Sequence, residues 1–75
     1  MKVVLTGWKA GLKKISLDVL LVKRLNVSIA AAKKHADDLL AREVIELDID
    51  PGSALDFVRE LEGLGVICHT EPAGP

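Results

Sequence analysis

The chain has no tyrosine, and Trp8 and Phe57 are its only aromatics among 75 residues. A core made from this sequence has to be aliphatic. A surface that stacks several bases is hard to build, because single-strand binders rely on a series of aromatic platforms. A lone Cys68 excludes an internal disulfide and a thiolate cage for a metal. No run approaches the roughly 18–20 apolar residues that a membrane span requires. The opening Met1-Lys2-Val3-Val4-Leu5 carries the charge of a signal peptide, but Gly7-Trp8-Lys9 interrupts its apolar stretch too soon. The glycines form no phosphate cradle, since Gly7-Trp8-Lys9-Ala10-Gly11 lacks the Gly-Lys-Ser/Thr ending. Internal repeats and low-complexity segments are absent. Together these gaps lead us to expect a cytoplasmic protein without membrane contact.

What is present is aliphatic mass and patterned charge. Apolar residues make up 49% of the chain, enough to argue against disorder. A chain of this length forms one domain and buries only roughly 60% of its unfolded surface, so it needs tight packing or assembly. We expect a single domain over residues 1–70 and a frayed tail over 71–75. Residues 1–34 carry eight cations against one acid, Asp18, a balance of +7. Residues 35–75 carry two cations against ten acids, a balance of −8. A fold that keeps these halves apart has a basic face that attracts anionic surfaces in a salt-dependent way. A fold that interleaves them has solvated ion pairs instead.

Periodicity orders the elements. Val3-Val4-Leu5 reads as a strand closed by Gly7, followed by a loop over residues 7–14. Ile15–Leu25 suits a helix stopped at Asn26, and Ser28 caps a second helix over Ile29–Leu40. The apolar face of that second helix reads as Ile29, Ala32, Ala36, Leu39 and Leu40. Alternation from Glu43 to Asp50 turns Ile45, Leu47 and Ile49 inward. Pro51-Gly52 reads as a turn, with Ser53 capping a third helix to Glu62 and Asp56 completing a capping box. Gly63 and Gly65 end that helix before a last strand, Val66–His69. The order β-α-α-β-α-β predicts an α/β two-layer sandwich, with a three-stranded sheet and helices on one face. The first strand is expected to lie antiparallel between the other two.

Catalytic groups do not converge. His35 sits among lysines and aspartates on a helix, and the adjacent Cys68 and His69 point to opposite faces of a strand. The pairs Asp37-Asp38 and Asp48-Asp50 read as solvated faces. We therefore expect no enzyme, no cofactor and no metal. Two other features are more telling. Trp8, Lys9, Lys13 and Lys14 cluster where the first helix begins, and cations there oppose the helix dipole. That cluster fits either an anionic contact anchored by Trp8 or a loop whose tryptophan folds back over the core. The first helix is also apolar on two sides. Leu17, Leu20, Leu21 and Arg24 share one side, whereas Ile15, Val19 and Val22 lie nearly opposite, with Leu12 a possible extension. Such an exposed stripe marks an interface, a homodimer contact among the options.

The element order and the stretch from Val3 to His69 resemble the C-terminal domain of the bacterial ribosomal stalk protein of the large subunit. That family opens its second helix with Gly-Leu-Gly-Leu-Lys-Glu-Ala-Lys, and this chain has Asn26-Val27-Ser28-Ile29-Ala30-Ala31-Ala32-Lys33. The closing stretch Ala54-Leu55-Asp56-Phe57-Val58-Arg59-Glu60-Leu61-Glu62-Gly63-Leu64-Gly65-Val66-Ile67 follows the family's ending. The same fold resembles the Clp protease adaptor. The resemblance implies a surface that recruits translational GTPases, with Lys14, Ile15, Ser16 and Lys33 at the contact positions. Val19 and Val22 stand where the family carries a lysine and an arginine.

From residues and resemblance together we expect a non-enzymatic protein–protein interaction domain. Its first helix would dock on an acidic or apolar partner, for which the resemblance implies a translation factor. Ile15, Val19 and Val22 supply apolar contact, and Lys13, Lys14 and Lys33 steer the encounter. The alternatives are a nucleic-acid binder using Trp8, Lys9, Lys13 and Lys14, and a homo-oligomeric structural protein.

Overall fold

The computed structural model describes residues 1–72, with element order β1 (Lys2–Trp8), α1 (Lys14–Leu25), α2 (Ile29–Leu40), β2 (Ile45–Asp48), α3 (Pro51–Gly63) and β3 (Val66–Glu71). The tail residues 73–75 lie outside the described residues. The sheet order is β2-β1-β3, and β1 runs antiparallel to both neighbours. The expected two-layer arrangement is present. α2 lies on β1 and β2, α3 on β1 and β3, and α1 packs against α2.

Alternation along the strands separates the two sides of the sheet. Val3, Leu5, Ile45, Leu47 and Val66 join Leu17, Leu21, Leu39, Phe57 and Leu61 in one buried cluster. The opposite face carries Lys2, paired with Asp48 and Glu71, and Val4, paired with Glu46 and His69. Among the described residues no helix covers that face. Lys2 Nζ lies 3.1 Å from Glu46 Oε1. The hydrogen bond to Glu46 and that carboxylate's charge, with smaller contributions from Glu71 and Asp48, raise the Lys2 ammonium above its ordinary pKa.

Helix ends follow local chemistry. Asn26, with φ 53°, adopts the left-handed conformation after α1 and donates its N–H to the Val22 carbonyl. Lys23 and Arg24 occupy the last turn of α1, where cations suit the dipole. Ser28 Oγ accepts from Ala31 N–H at 3.2 Å, as expected of an N-cap. The start of α3 corrects the sequence reading. Pro51-Gly52 belongs to the first turn, and Asp50, not Ser53, is the cap, its carboxylate accepting from Gly52 N–H at 3.0 Å. Proline fits at the first helical position because its missing donor has no partner there anyway.

The loop over residues 9–13 is strapped to the corner between α3 and β3. Lys9 N–H donates to the Gly65 carbonyl at 2.8 Å, and Lys13 N–H to the Leu64 carbonyl at 3.0 Å. Gly65 has φ +99°, and a Cβ there would lie 3.2 Å from Leu12 Cα. Both the left-handed backbone and the close approach demand glycine. Gly65→Ala is expected to lower stability by about 1–3 kcal/mol in urea unfolding, because strain and contact act together. The same corner positions the entry to α1.

Three further expectations need correction. β1 continues through a bulge between Leu5 and Gly7, so Trp8 is its last residue and not part of the loop. Ile29 is 57% exposed, since at the first position of α2 it precedes the packed turns formed by Ala32, Ala36 and Leu39. β3 extends to Glu71, into the stretch assigned to the tail, because Lys2 supplies its pairing partner.

Candidate docking face

α1 offers its buried side to α2 and the core through Leu17, Asp18, Leu20 and Leu21. At about 100° per residue, Ile15 and Val19 fall on the far side. They are 81% and 57% exposed, the most and among the most open large apolar residues described. Beside this ridge runs a cleft of about 540 Å³, lined from α1 by Ile15, Ser16, Val19, Leu20 and Lys23 and closed by Glu60, Gly63 and Leu64 of α3. Ser16 therefore joins Ile15 and Val19 at one site.

Val22 does not join them. It is half-buried and packs on the core cluster, which corrects its assignment to the exposed stripe. Its angular position lies between Asp18 and Ile15, on the α2 side of the helix. Leu12 is likewise half-buried against the core.

The cations divide into two groups. Lys14 Nζ lies 3.2 Å from Asp37 Oδ1, Lys34 Nζ lies 3.2 Å from Asp38 Oδ2, and Arg24 pairs with Glu60. With Lys2–Glu46, each of these pairs joins a first-half cation to a second-half acid. Interleaving is thus real but partial. Among the described residues, Lys9, Lys13, Lys23 and Lys33 make no ion pair, and all are exposed or half-exposed. Lys9 and Lys13 flank the start of α1, and Lys23 lines the cleft.

Trp8 is half-buried against the core, opposite Val66, with the Arg42 guanidinium 5.8 Å from its ring centroid. Its Nε1 is buried without a hydrogen-bond partner among the described residues. One face of the indole is therefore occupied from within, and stacking on a ligand would have to displace Arg42. Sequence reasoning missed one residue altogether. Asp18 is 6% exposed, and its Oδ1 has no hydrogen-bond partner among the described residues. Its position as the one acid of the basic half was the only available signal.

Elsewhere the chemistry is sparse. Among the described residues no group of His, Cys, Asp or Glu is placed to hold a metal ion. No described helix is long and apolar enough to cross a membrane. Cys68 Sγ lies 4.0 Å from the Val58 carbonyl, and burial, followed by the charge of Glu62, pushes its thiol up to about 11 from an ordinary value of 9.0. A thiolate is the reactive form, so labelling by a disulfide reagent near neutral pH should be far slower than for an exposed thiol. The linkage has a definite sign. Between pH 9 and 11 the unfolded chain releases this proton while the folded chain keeps it, so stability falls across that window. Urea midpoints should drop more steeply there in the native protein than in Cys68→Ala.

No protein-family model matches this chain, and no match was found among curated proteins or solved structures.

Proposed function

We propose that this is a non-enzymatic interaction domain that docks on a protein partner through the Ile15/Val19 face of α1. The observation that carries the reading is an exposed aliphatic ridge together with lysines that have no counter-ion among the described residues. Exposed apolar surface beside an apolar cleft favours contact with another protein. Lys9, Lys13, Lys23 and Lys33 would speed encounter with an acidic surface and select against basic ones. Ser16 lines this cleft and Lys14, paired with Asp37, opens α1, and the resemblance to the ribosomal stalk domain also puts contact residues at both positions. A cytoplasmic, translation-related setting with a translation factor as partner belongs to the same proposal.

Substitution at position 19 tests it. Val19→Lys removes apolar contact, keeps the basic character and alters a side chain that is already 57% exposed. Capture of partner from cell extract on immobilised domain should fall at least about tenfold, the equivalent of roughly 1.4 kcal/mol. Capture unchanged by Val19→Lys rejects the α1 face. Oligonucleotide binding that weakens steeply with salt and survives the substitution would favour a nucleic-acid binder instead.

A further inference from the structure

The uncovered face of the sheet has the opposite character from α1. Glu46, Asp48 and Glu71 stand there, with Lys2 Nζ 3.1 Å from Glu46, His69 Nε2 2.9 Å from Glu71, and the N-terminal ammonium donating to the carbonyl of Ile49, next to Asp48 in sequence. Apolar surface is available beside them. Ile67 is 45% exposed, and its side chain lies over Gly7, whose added Cβ would meet Ile67 Cδ1 at 3.7 Å. One side of the domain is therefore an aliphatic ridge with lysines that make no ion pair among the described residues, and the other an aliphatic spot among three carboxylates, of which Asp48 makes no ion pair among the described residues. The α1 ridge belongs to the helix layer, and the acidic face lies across the sheet from that layer, so one copy cannot bring its own two surfaces together.

We propose that the α1 face docks on the uncovered sheet face of a second copy of this chain, head to tail. This rests on the reading of α1 as a docking face and names an occupant for it. Charge selects the mode. Two α1 faces brought together would set Lys9, Lys13 and Lys23 of both copies against one another, a juxtaposition that costs free energy. An α1 face on a sheet face puts those lysines opposite Glu46, Asp48 and Glu71, and Ile15 and Val19 opposite Ile67. Such a contact is heterologous. An open chain of copies keeps one unused α1 face at one end and one unused sheet face at the other, so assembly continues past two unless a ring closes.

Sedimentation equilibrium of purified protein tests this at about 20 mM and about 0.5 M salt, where screening lengths differ several-fold. At low salt the average mass should rise with concentration beyond twice the 8.1 kDa monomer, and at high salt it should return to the monomer. Ile15→Asp with Val19→Asp should remain monomeric, as should Glu46→Lys with Glu71→Lys. The neutral pair Glu46→Gln with Glu71→Gln guards against misfolding and should weaken association at least tenfold. The decisive step mixes the two monomeric variants. Each retains one intact surface, so the mixture should form a heterodimer and nothing larger.

A wild-type monomer at every concentration at low salt overturns the proposal. So does a dimer that stops at two copies and ignores the sheet substitutions. In either case, partner capture that is still lost on Val19→Lys leaves the α1 face standing as a site for a different protein. If capture survives Val19→Lys as well, both readings fail.

Discussion

Phe57→Ala should leave no cooperative unfolding transition at 37 °C. Phe57 is fully buried, the largest such side chain among those described, and sits in α3 within the single core cluster. Truncating a buried phenylalanine costs about 3–5 kcal/mol, through lost transfer free energy and the cavity left behind. A domain of this size has a total stability of roughly 4–11 kcal/mol at typical values per residue. The loss is thus comparable with the whole. The rest of the cluster is aliphatic apart from half-buried Trp8, and rigid Leu and Val side chains cannot collapse into a ring-sized hole. Thermal circular dichroism checks this, and Phe57→Leu, which refills most of the space, should retain a clear transition. A well-folded Phe57→Ala protein would mean that α3 contributes less to the core than its burial implies.

Ile15→Asp combined with Val19→Asp should do the reverse: lose binding and keep the fold. Both side chains project from α1 and are largely exposed, so their removal costs the native state little. The effect on docking should be large for two reasons. Apolar anchors at the centre of a patch dominate interface energetics, and each commonly contributes about 2 kcal/mol or more on truncation. The new carboxylates also offset the neighbouring lysines and reduce steering toward an acidic partner. Together these predict at least a hundredfold loss of affinity, as measured by titration calorimetry against the captured partner. The melting temperature should shift by only a few degrees. A substantial loss of stability would mean that the ridge packs within the native domain.

The layout of the fold was legible because β2, α2 and α3 carried their period in the sequence, while β1 and β3 showed as short apolar runs bounded by glycine. Alternation in Glu43–Asp50 gave β2 and the inward direction of Ile45 and Leu47. The apolar residues of α2 and α3, with Ser28 ahead of α2, gave the helices. The central place of β1, antiparallel between the two strands of the last β-α-β unit, was an arrangement that the element order allowed, and the sheet has it. What escaped was decided by tertiary contact. Pro51-Gly52 carries the same signal in a turn and in a first helical turn, and only the Asp50 carboxylate above Gly52 N–H settles which one it is. Trp8 looked like a loop residue because Gly7 resembles a strand end, yet the bulge lets pairing with β3 continue past it.

The candidate site was read in the same mixed way. Helical spacing identified Ile15 and Val19, because a helix in a two-layer domain cannot bury both sides. It also included Val22, which looks equivalent to Val19 on a helical wheel but is half-buried against the core cluster. The cleft beside the ridge depends on Glu60, Gly63 and Leu64, more than forty residues away in sequence for most of its pairs, and no local pattern could reveal it. Asp18 is the opposite case. It was visible only as the one acid of the basic half, and its burial, at 6% exposed, is set by tertiary packing.

The most direct test of the account replaces Val19 with a photo-crosslinking phenylalanine analogue in the living cell, with Leu55 as the control position. Leu55 lies on α3 and is 59% exposed, matching Val19 in accessibility but not in setting. Covalent adducts from position 19, absent or much weaker from position 55, are the predicted result, and their masses separate a second copy of this chain from another protein. Equal adducts from both positions, or none from position 19, would contradict a docking role for α1.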